Sequence, residues 1–148
     1  MAAPGQDSTV LMMARGLEGA PLIRVVIAGP RPDVRRALQI RMALEPDMTV
    51  VGSTSSVQAA LPVLRTLRPD VLLVDVDMEP DTSAESLGRA RALAPGLRVV
   101  LLTHHRDAWP ASRLDTTGAD AVVDKDPGAG PLLASVRRLS DHRPQGFV

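Results

Sequence analysis

The chain has 148 residues, and its seventeen basic and seventeen acidic side chains cancel to a formal net charge of zero. This length fits one domain with a sizeable core, and the balanced charge removes the basic excess that marks most nucleic-acid binders. With no cysteine, no tyrosine, one tryptophan and one phenylalanine, disulfides, zinc–thiolate sites and thiol catalysis are excluded, and stacking sites for bases or flavins are disfavoured.

The opening segment, 1–21, mixes Gly, Pro and Ala with isolated charges. It lacks the charged start and apolar run of a signal peptide and reads as a flexible tail. No apolar run approaches the roughly 20 residues that cross a bilayer, so a soluble, cytoplasmic protein without membrane contact is expected.

Leu22 to Ala28 reads as the first strand, rich in β-branched Ile23, Val25, Val26 and Ile27, and Gly29-Pro30 ends it. Pro32 suits the first turn of a helix whose mostly apolar stripe runs through Val34, Ala37, Leu38, Arg41 and Met42 to Leu44. After Glu45-Pro46-Asp47, Met48 to Gly52 forms a short second strand. Ser55 or Ser56 then caps a helix with apolar positions Val57, Ala60, Leu61, Leu64 and Leu67. Pro62 falls within it and is tolerated near a helix start, or else kinks the helix.

The run Val71 to Val74 is apolar at every position and leads into Asp75, Asp77, Glu79 and Asp81. Continuous rather than alternating apolarity predicts a strand buried on both faces of a parallel sheet, with Asp75 at its carboxyl end. That edge is where open α/β sheets place ligands and chemistry. Thr82 or Ser83 caps a third helix through Leu87, Ala90, Leu93 and Ala94, ended by Pro95-Gly96. Leu97 to Thr103 is the fourth strand. The irregular part from His104 to Thr117 holds, after Pro110, a helix of barely two turns ending at Gly118. Ala119 to Asp124 is the fifth strand, and Pro131 opens a last helix with Leu132, Leu133, Val136 and Leu139 on one side. The predicted class is α/β: a doubly wound, five-stranded parallel sheet of strand order 2-1-3-4-5 with five helices, spanning 22–140. Residues 141–148 read as a C-terminal tail or the start of a linker.

Strand ends bring together Gly29-Pro30, Asp75, Thr103 and Lys125. Sixteen of the seventeen cationic side chains are arginine, and Lys125 is the one lysine. This set, with Ile23-Arg24-Val25-Val26-Ile27, Glu45-Pro46-Asp47, Leu67 to Asp75, Leu101-Leu102-Thr103, Gly118-Ala119-Asp120 and Lys125-Asp126, resembles the receiver domain of two-component response regulators. It is most similar to the subfamily that usually precedes a helix-turn-helix output domain. The resemblance spans Ile23 to Leu139.

In a working receiver, the resemblance implies, the aspartate at the position of Asp75 attacks a phosphoryl donor and an acidic pair after the first strand holds Mg²⁺. A hydroxyl at the position of Thr103 and an ammonium at that of Lys125 meet the phosphoryl group. The chemistry requires cations, because a carboxylate attacking an anionic phosphoryl group gathers negative charge. Here the acidic pair falls on Gly29 and Pro30, the family's Met-Pro is interrupted as Met78-Glu79-Pro80, and the aromatic switch position falls on Val122. Weak or absent Mg²⁺ binding is expected, with no cofactor, and an Asp75–Lys125 ion pair in its place. Asp77 and Glu79 read as a solvated loop rather than replacement ligands, and His104 and His105 as incidental loop histidines. Trp109 reads equally as a partner anchor or a cover for the core edge. Arg31, Arg35, Arg36, Arg137 and Arg138 read as a solvated face, with a dimer or partner surface as the alternative.

The expected function is therefore an atypical, non-enzymatic receiver that acts as a signalling and interaction module, as a homodimer or on a partner protein, without Mg²⁺-dependent aspartyl phosphorylation. Two alternatives stand beside it: a conventional phosphoacceptor using Asp75, and a switch whose emptied acidic pocket takes a small molecule. A flavodoxin-like cofactor binder is disfavoured, because Gly29-Pro30-Arg31-Pro32 lacks two of the backbone N–H donors that a phosphate-cradling loop uses. No nucleic acid is expected to bind through this domain itself. If the chain is part of a longer transcriptional regulator, DNA binding belongs to the remainder.

Overall fold

The computed structural model describes residues 22–77, 83–125 and 128–141. Five parallel strands, β1 (Ile23–Ala28), β2 (Met48–Thr54), β3 (Val71–Asp75), β4 (Arg98–Thr103) and β5 (Ala121–Asp124), pair in the order β2-β1-β3-β4-β5. They alternate with helices α1 (Pro32–Ala43), α2 (Val57–Leu67), α3 (Ala84–Leu93), α4 (Ala111–Thr117) and α5 (Gly130–Asp141), and a short 3₁₀ turn, Arg106–Ala108, precedes α4. The fold class and strand order are those expected from the sequence.

Successive side chains of a strand point to opposite faces, so each continuous apolar strand feeds two cores. Val26, Ala28, Leu72, Val74, Val99 and Leu101 face Val57, Ala60 and Leu64 of α2 and Leu87 and Ala90 of α3. On the other face Val25, Ile27, Leu73, Val100, Leu102 and Val123 meet Met42 of α1 and Leu132, Leu133 and Val136 of α5. Each Val, Leu, Ile or Met side chain among these, when fully buried, contributes roughly 1.5–3 kcal/mol of transfer free energy, which is why this pattern dominates local propensity.

Local signals fix the element ends. The Ser56 hydroxyl accepts from the Ala59 N–H at 3.0 Å to cap α2, and Ser83 with Ser86 forms a reciprocal box at the start of α3. Pro62 lies inside α2, which runs unbroken to Leu67, so the proline does not mark the helix start; it only leaves the carbonyl of exposed Gln58 without its helical donor. Gly118 closes α4 at φ 79°, a left-handed turn that suits glycine. The Asp70 carboxylate accepts from the Arg24 N–H at 2.8 Å, and the Asp70 N–H donates to the Arg24 carbonyl, which locks the start of β3 to β1.

Several boundaries differ from the sequence reading. β2 continues past Gly52 to Thr54, because β1 follows it through a register shift between Val25 and Val26. β5 begins at Ala121 rather than Ala119, and α5 starts at Gly130 and ends at Asp141. The apolar stripe of α1 is the larger correction: only Met42 is buried, Ala37 is exposed, and Ile40 and Leu44 are 57% and 71% exposed. Thr82, as an alternative cap for α3, lies outside the described residues, as do Met78, Glu79, Pro80, Asp81 and Asp126.

Candidate functional site

The strand register assembles the site. Asp75 pairs with Leu102, so Thr103 lies one residue beyond it on β4; Thr103 pairs with Asp124, so Lys125 lies one residue beyond β5. The three strand ends thus step forward by one residue at a time, and their terminal side chains converge. Asp75 and Thr103 are buried, at 4% and 0% exposure, which removes them from competing water and strengthens every charge contact between them and their neighbours.

Lys125 Nζ stands 2.7 Å from Asp75 Oδ1, the ion pair expected from the sequence, and 3.3 Å from Asp77 Oδ2. Asp77 is where the sequence reading fails. Instead of lying in a solvated loop, its Oδ1 accepts from the Thr103 hydroxyl at 2.5 Å and its Oδ2 from the His104 N–H at 2.7 Å. Its own N–H donates to Asp75 Oδ1 at 3.2 Å. Short hydrogen bonds to an ionised carboxylate are the strong kind. Burial pushes the Asp77 carboxyl upward, but the Thr103 hydroxyl, the His104 N–H and Lys125 together outweigh burial and hold it below the usual carboxylate range. The sequence carried a signal for this: a carboxylate two residues past one strand end and a hydroxyl at the end of the next.

Gly29 follows β1 directly, its N–H donating to the Thr54 carbonyl at 3.0 Å. A Cβ at this position would lie 3.0 Å from the Cβ of Asp75, so glycine permits the close approach of the two strand ends. The Arg35 guanidinium bends back from α1 to donate to the Gly29 carbonyl and, at 2.9 Å, to the Ser53 hydroxyl. Pro30 is exposed.

These residues do not fit a magnesium ion, which asks for hard oxygen ligands in near-octahedral geometry. Gly29 and Pro30 offer no side-chain oxygen, both Asp77 oxygens are engaged, and Asp75 Oδ1 is held by Lys125. Among the described residues no group of three or more His, Asp or Glu side chains is placed to hold a metal.

Around this centre, Val122 is buried in the α2–α3 core and its carbonyl accepts from Arg106 Nε at 3.3 Å. His104 and His105 are exposed and serve the site through their backbone: the His105 N–H donates to the Thr103 hydroxyl at 2.9 Å. Trp109 resolves to core cover, 9% exposed within the α2–α3 cluster, with the Arg113 guanidinium 3.8 Å above its ring. Of the arginines, Arg31, Arg36 and Arg138 are exposed as expected, whereas Arg35 and Arg137 are partly buried and engaged. Arg31 pairs with Asp33 at 2.9 Å, and Arg137 of α5 reaches Glu45 at 2.5 Å and Asp47 at 2.8 Å, tying α5 to the turn before β2. A cleft of about 680 Å³ opens between α1 and α5 beside Lys125 and Asp77, lined by apolar Val34, Leu38, Leu102 and Leu132. No helix among the described residues is long and apolar enough to cross a membrane.

The profile of the response regulator receiver domain matches residues 25–137. The chain is similar to the protein-glutamate methylesterase/protein-glutamine glutaminase 2 of Cereibacter sphaeroides, 32% identical over 130 residues that cover 86% of this chain and 35% of that protein. It is similar to the response regulator protein VraR of Staphylococcus saprophyticus, 24% identical over 116 residues, covering 78% of this chain and 56% of that one. Among solved structures, the signal receiver domain of NarL from Mycobacterium tuberculosis matches with a TM-score of 0.72 at 25% identity, covering 83% of this chain and 99% of that chain. The chain therefore spans between 35% and 56% of the length of these two curated relatives.

Proposed function

Because the chain belongs to the response regulator receiver family, we propose that it serves two-component signalling as an interaction module that dimerises or docks on a partner protein, without Mg²⁺-dependent phosphorylation of Asp75. One observation carries this reading: the strand end that faces Asp75 supplies Gly29 and Pro30, with no side-chain oxygen, while Lys125 holds the Asp75 carboxylate at 2.7 Å. A carboxylate can attack a phosphoryl group only where cations offset the gathering charge. Here one ammonium faces two carboxylates, and among the described residues no donor set is left to bring in a metal. The similarity to a response regulator supports a place in phosphorelay signal transduction, with any DNA contact made outside this domain. The methylesterase activity of the other relative is not carried over, since the match covers 35% of that protein.

Incubation with acetyl phosphate and Mg²⁺, followed by intact-mass measurement, tests this reading beside light scattering of the eluted protein. A dimer or partner complex with no added phosphoryl mass is expected. Stoichiometric labelling that Asp75→Asn abolishes would overturn it.

The cleft between α1 and α5 favours a second reading, a small-molecule switch. Its size falls within the roughly 300–1,000 Å³ typical of ligand sites, and its walls are apolar with the Asp77–Lys125 cluster at one end. Binding of the apolar dye anilinonaphthalene sulfonate to the native state, lost in Leu38→Glu, would support it; equal dye binding by both proteins would rule it out.

A further inference from the structure

Three donors of different kinds converge beside Asp75: the Thr103 hydroxyl from the end of β4, the His104 backbone N–H after it, and the Lys125 ammonium after β5. A hydroxyl, an amide N–H and an ammonium aimed at one point make a binding site for a multi-oxygen anion. The site is already filled. Asp77 Oδ1 takes the hydroxyl at 2.5 Å, and Asp77 Oδ2 takes the N–H at 2.7 Å and lies 3.3 Å from the ammonium. All three donors thereby meet one carboxylate from the same chain, two residues beyond Asp75, with the ammonium shared between it and Asp75.

We infer that the Asp77 side chain is an internal anion that permanently occupies the phosphoryl contacts of this receiver, so that the domain is held in one state without a transferred phosphate. The inference rests on the functional reading above, which takes Thr103 and Lys125 as the phosphoryl contacts of a domain that is not phosphorylated through Mg²⁺. The covalent tether explains how a monoanion can hold a site suited to a phosphoryl group. Its effective concentration exceeds that of any free anion, because the side chain needs no diffusion to reach its partners. Phosphorylation of Asp75 and the present seat of Asp77 compete, since both draw on the Thr103 hydroxyl and the Lys125 ammonium.

The test uses inorganic phosphate as probe, without metal, and follows the His104 backbone amide by two-dimensional NMR. Asp75→Asn removes the charge next to the site but leaves Asp77 in place, and its His104 resonance is expected to stay fixed as phosphate is added. In Asp75→Asn/Asp77→Ala the site is open, and phosphate is expected to bind at least about tenfold more tightly, a change of about 1.4 kcal/mol. Adding Lys125→Met to that pair should abolish the gain. If the alanine variant does not fold, Asp75→Asn/Asp77→Asn carries the same comparison, because it keeps the shape and loses the charge. Equal phosphate binding with and without the Asp77 carboxylate would overturn this inference and leave the functional reading standing. Acetyl phosphate labelling of the wild type at Asp75 would overturn the functional reading instead.

Discussion

Replacement of Lys125 by methionine is the sharpest test of how the strand-end cluster is held together. The ammonium lies 2.7 Å from Asp75 Oδ1 and 3.3 Å from Asp77 Oδ2. At an effective dielectric near 20 the closer contact represents about 6 kcal/mol of gross attraction, most of which is offset by the cost of taking the charges out of water. Removing one partner is a different matter, because Asp75, 5% exposed at its side chain, keeps its desolvation cost and loses its compensation. Breaking such a pair costs about 3–5 kcal/mol. Lys125→Met is therefore expected to lower the urea midpoint at pH 7 without changing the m-value, and to lower Tm by roughly 10 °C or more. Fluorescence of buried Trp109, the one tryptophan, reports the transition.

The same reasoning fixes the pH dependence of that loss. The Lys125 ammonium adds to the Thr103 hydroxyl and the His104 N–H in holding the Asp77 carboxyl below its usual range against burial, so its removal weakens that depression. A depressed folded value gives stability that is present above the unfolded value and lost as pH falls through the folded one, so the deficit of Lys125→Met is fullest at neutral pH and shrinks in acid. Asp75→Asn/Lys125→Met should recover much of the lost stability, because no charge is then left against the core side of the pair. A loss below about 1 kcal/mol, the size of an exposed surface pair, would refute the argument and imply that water reaches the site freely.

Gly29→Ala places a methyl group 3.0 Å from the Asp75 Cβ and should destabilise by about 1–3 kcal/mol in chemical denaturation, without moving the melting response to Mg²⁺. Arg137→Ala removes the partner that, ahead of Arg41, holds the Glu45 carboxyl below its usual range. A depressed folded value means stability present above the unfolded value and lost as pH falls through the folded one, so denaturation midpoints of Arg137→Ala and wild type should differ at pH 7 and converge as the pH falls through the depressed Glu45 value.

The sheet was legible because its strands are buried on both faces: Val71 to Val74 and Val99 to Leu102 are apolar at every position, and no helix surface produces that pattern over so short a run. The Asp75–Lys125 pair could also be read, since a carboxylate and the chain's one lysine both fall at the carboxyl ends of strands. Asp77 could not be placed in the same way. One of its three partners is the His104 backbone N–H, and a backbone donor has no letter in the sequence. The α1 stripe misled for a related reason. Helical spacing shows that Val34, Leu38 and Met42 share a side, but how deeply that side is covered depends on α5, and the cleft between the two helices leaves Val34 and Leu38 only half-buried. Trp109 follows a 3₁₀ turn whose direction no periodicity encodes, so its place at the core edge appears only in three dimensions.

Taken together, the substitutions at the strand ends are not independent. Without side-chain oxygens at Gly29 and Pro30, no metal ligand pulls the Asp75 carboxylate toward β1, and the carboxylate is free to take Lys125. The absence of a Cβ at Gly29 lets the end of β3 sit close to β1, and Arg35 closes over the gap by donating to the Gly29 carbonyl and the Ser53 hydroxyl. Once Lys125 lies between Asp75 and Asp77, the second carboxylate gains a seat that also satisfies Thr103 and His104. Restoring one feature alone, an acidic residue at position 29 for example, would add a third carboxylate against a single ammonium and crowd the Asp75 Cβ. The contacts hold as a set, so building a Mg²⁺ site from these residues would take acidic ligands at both positions and removal of Asp77 together.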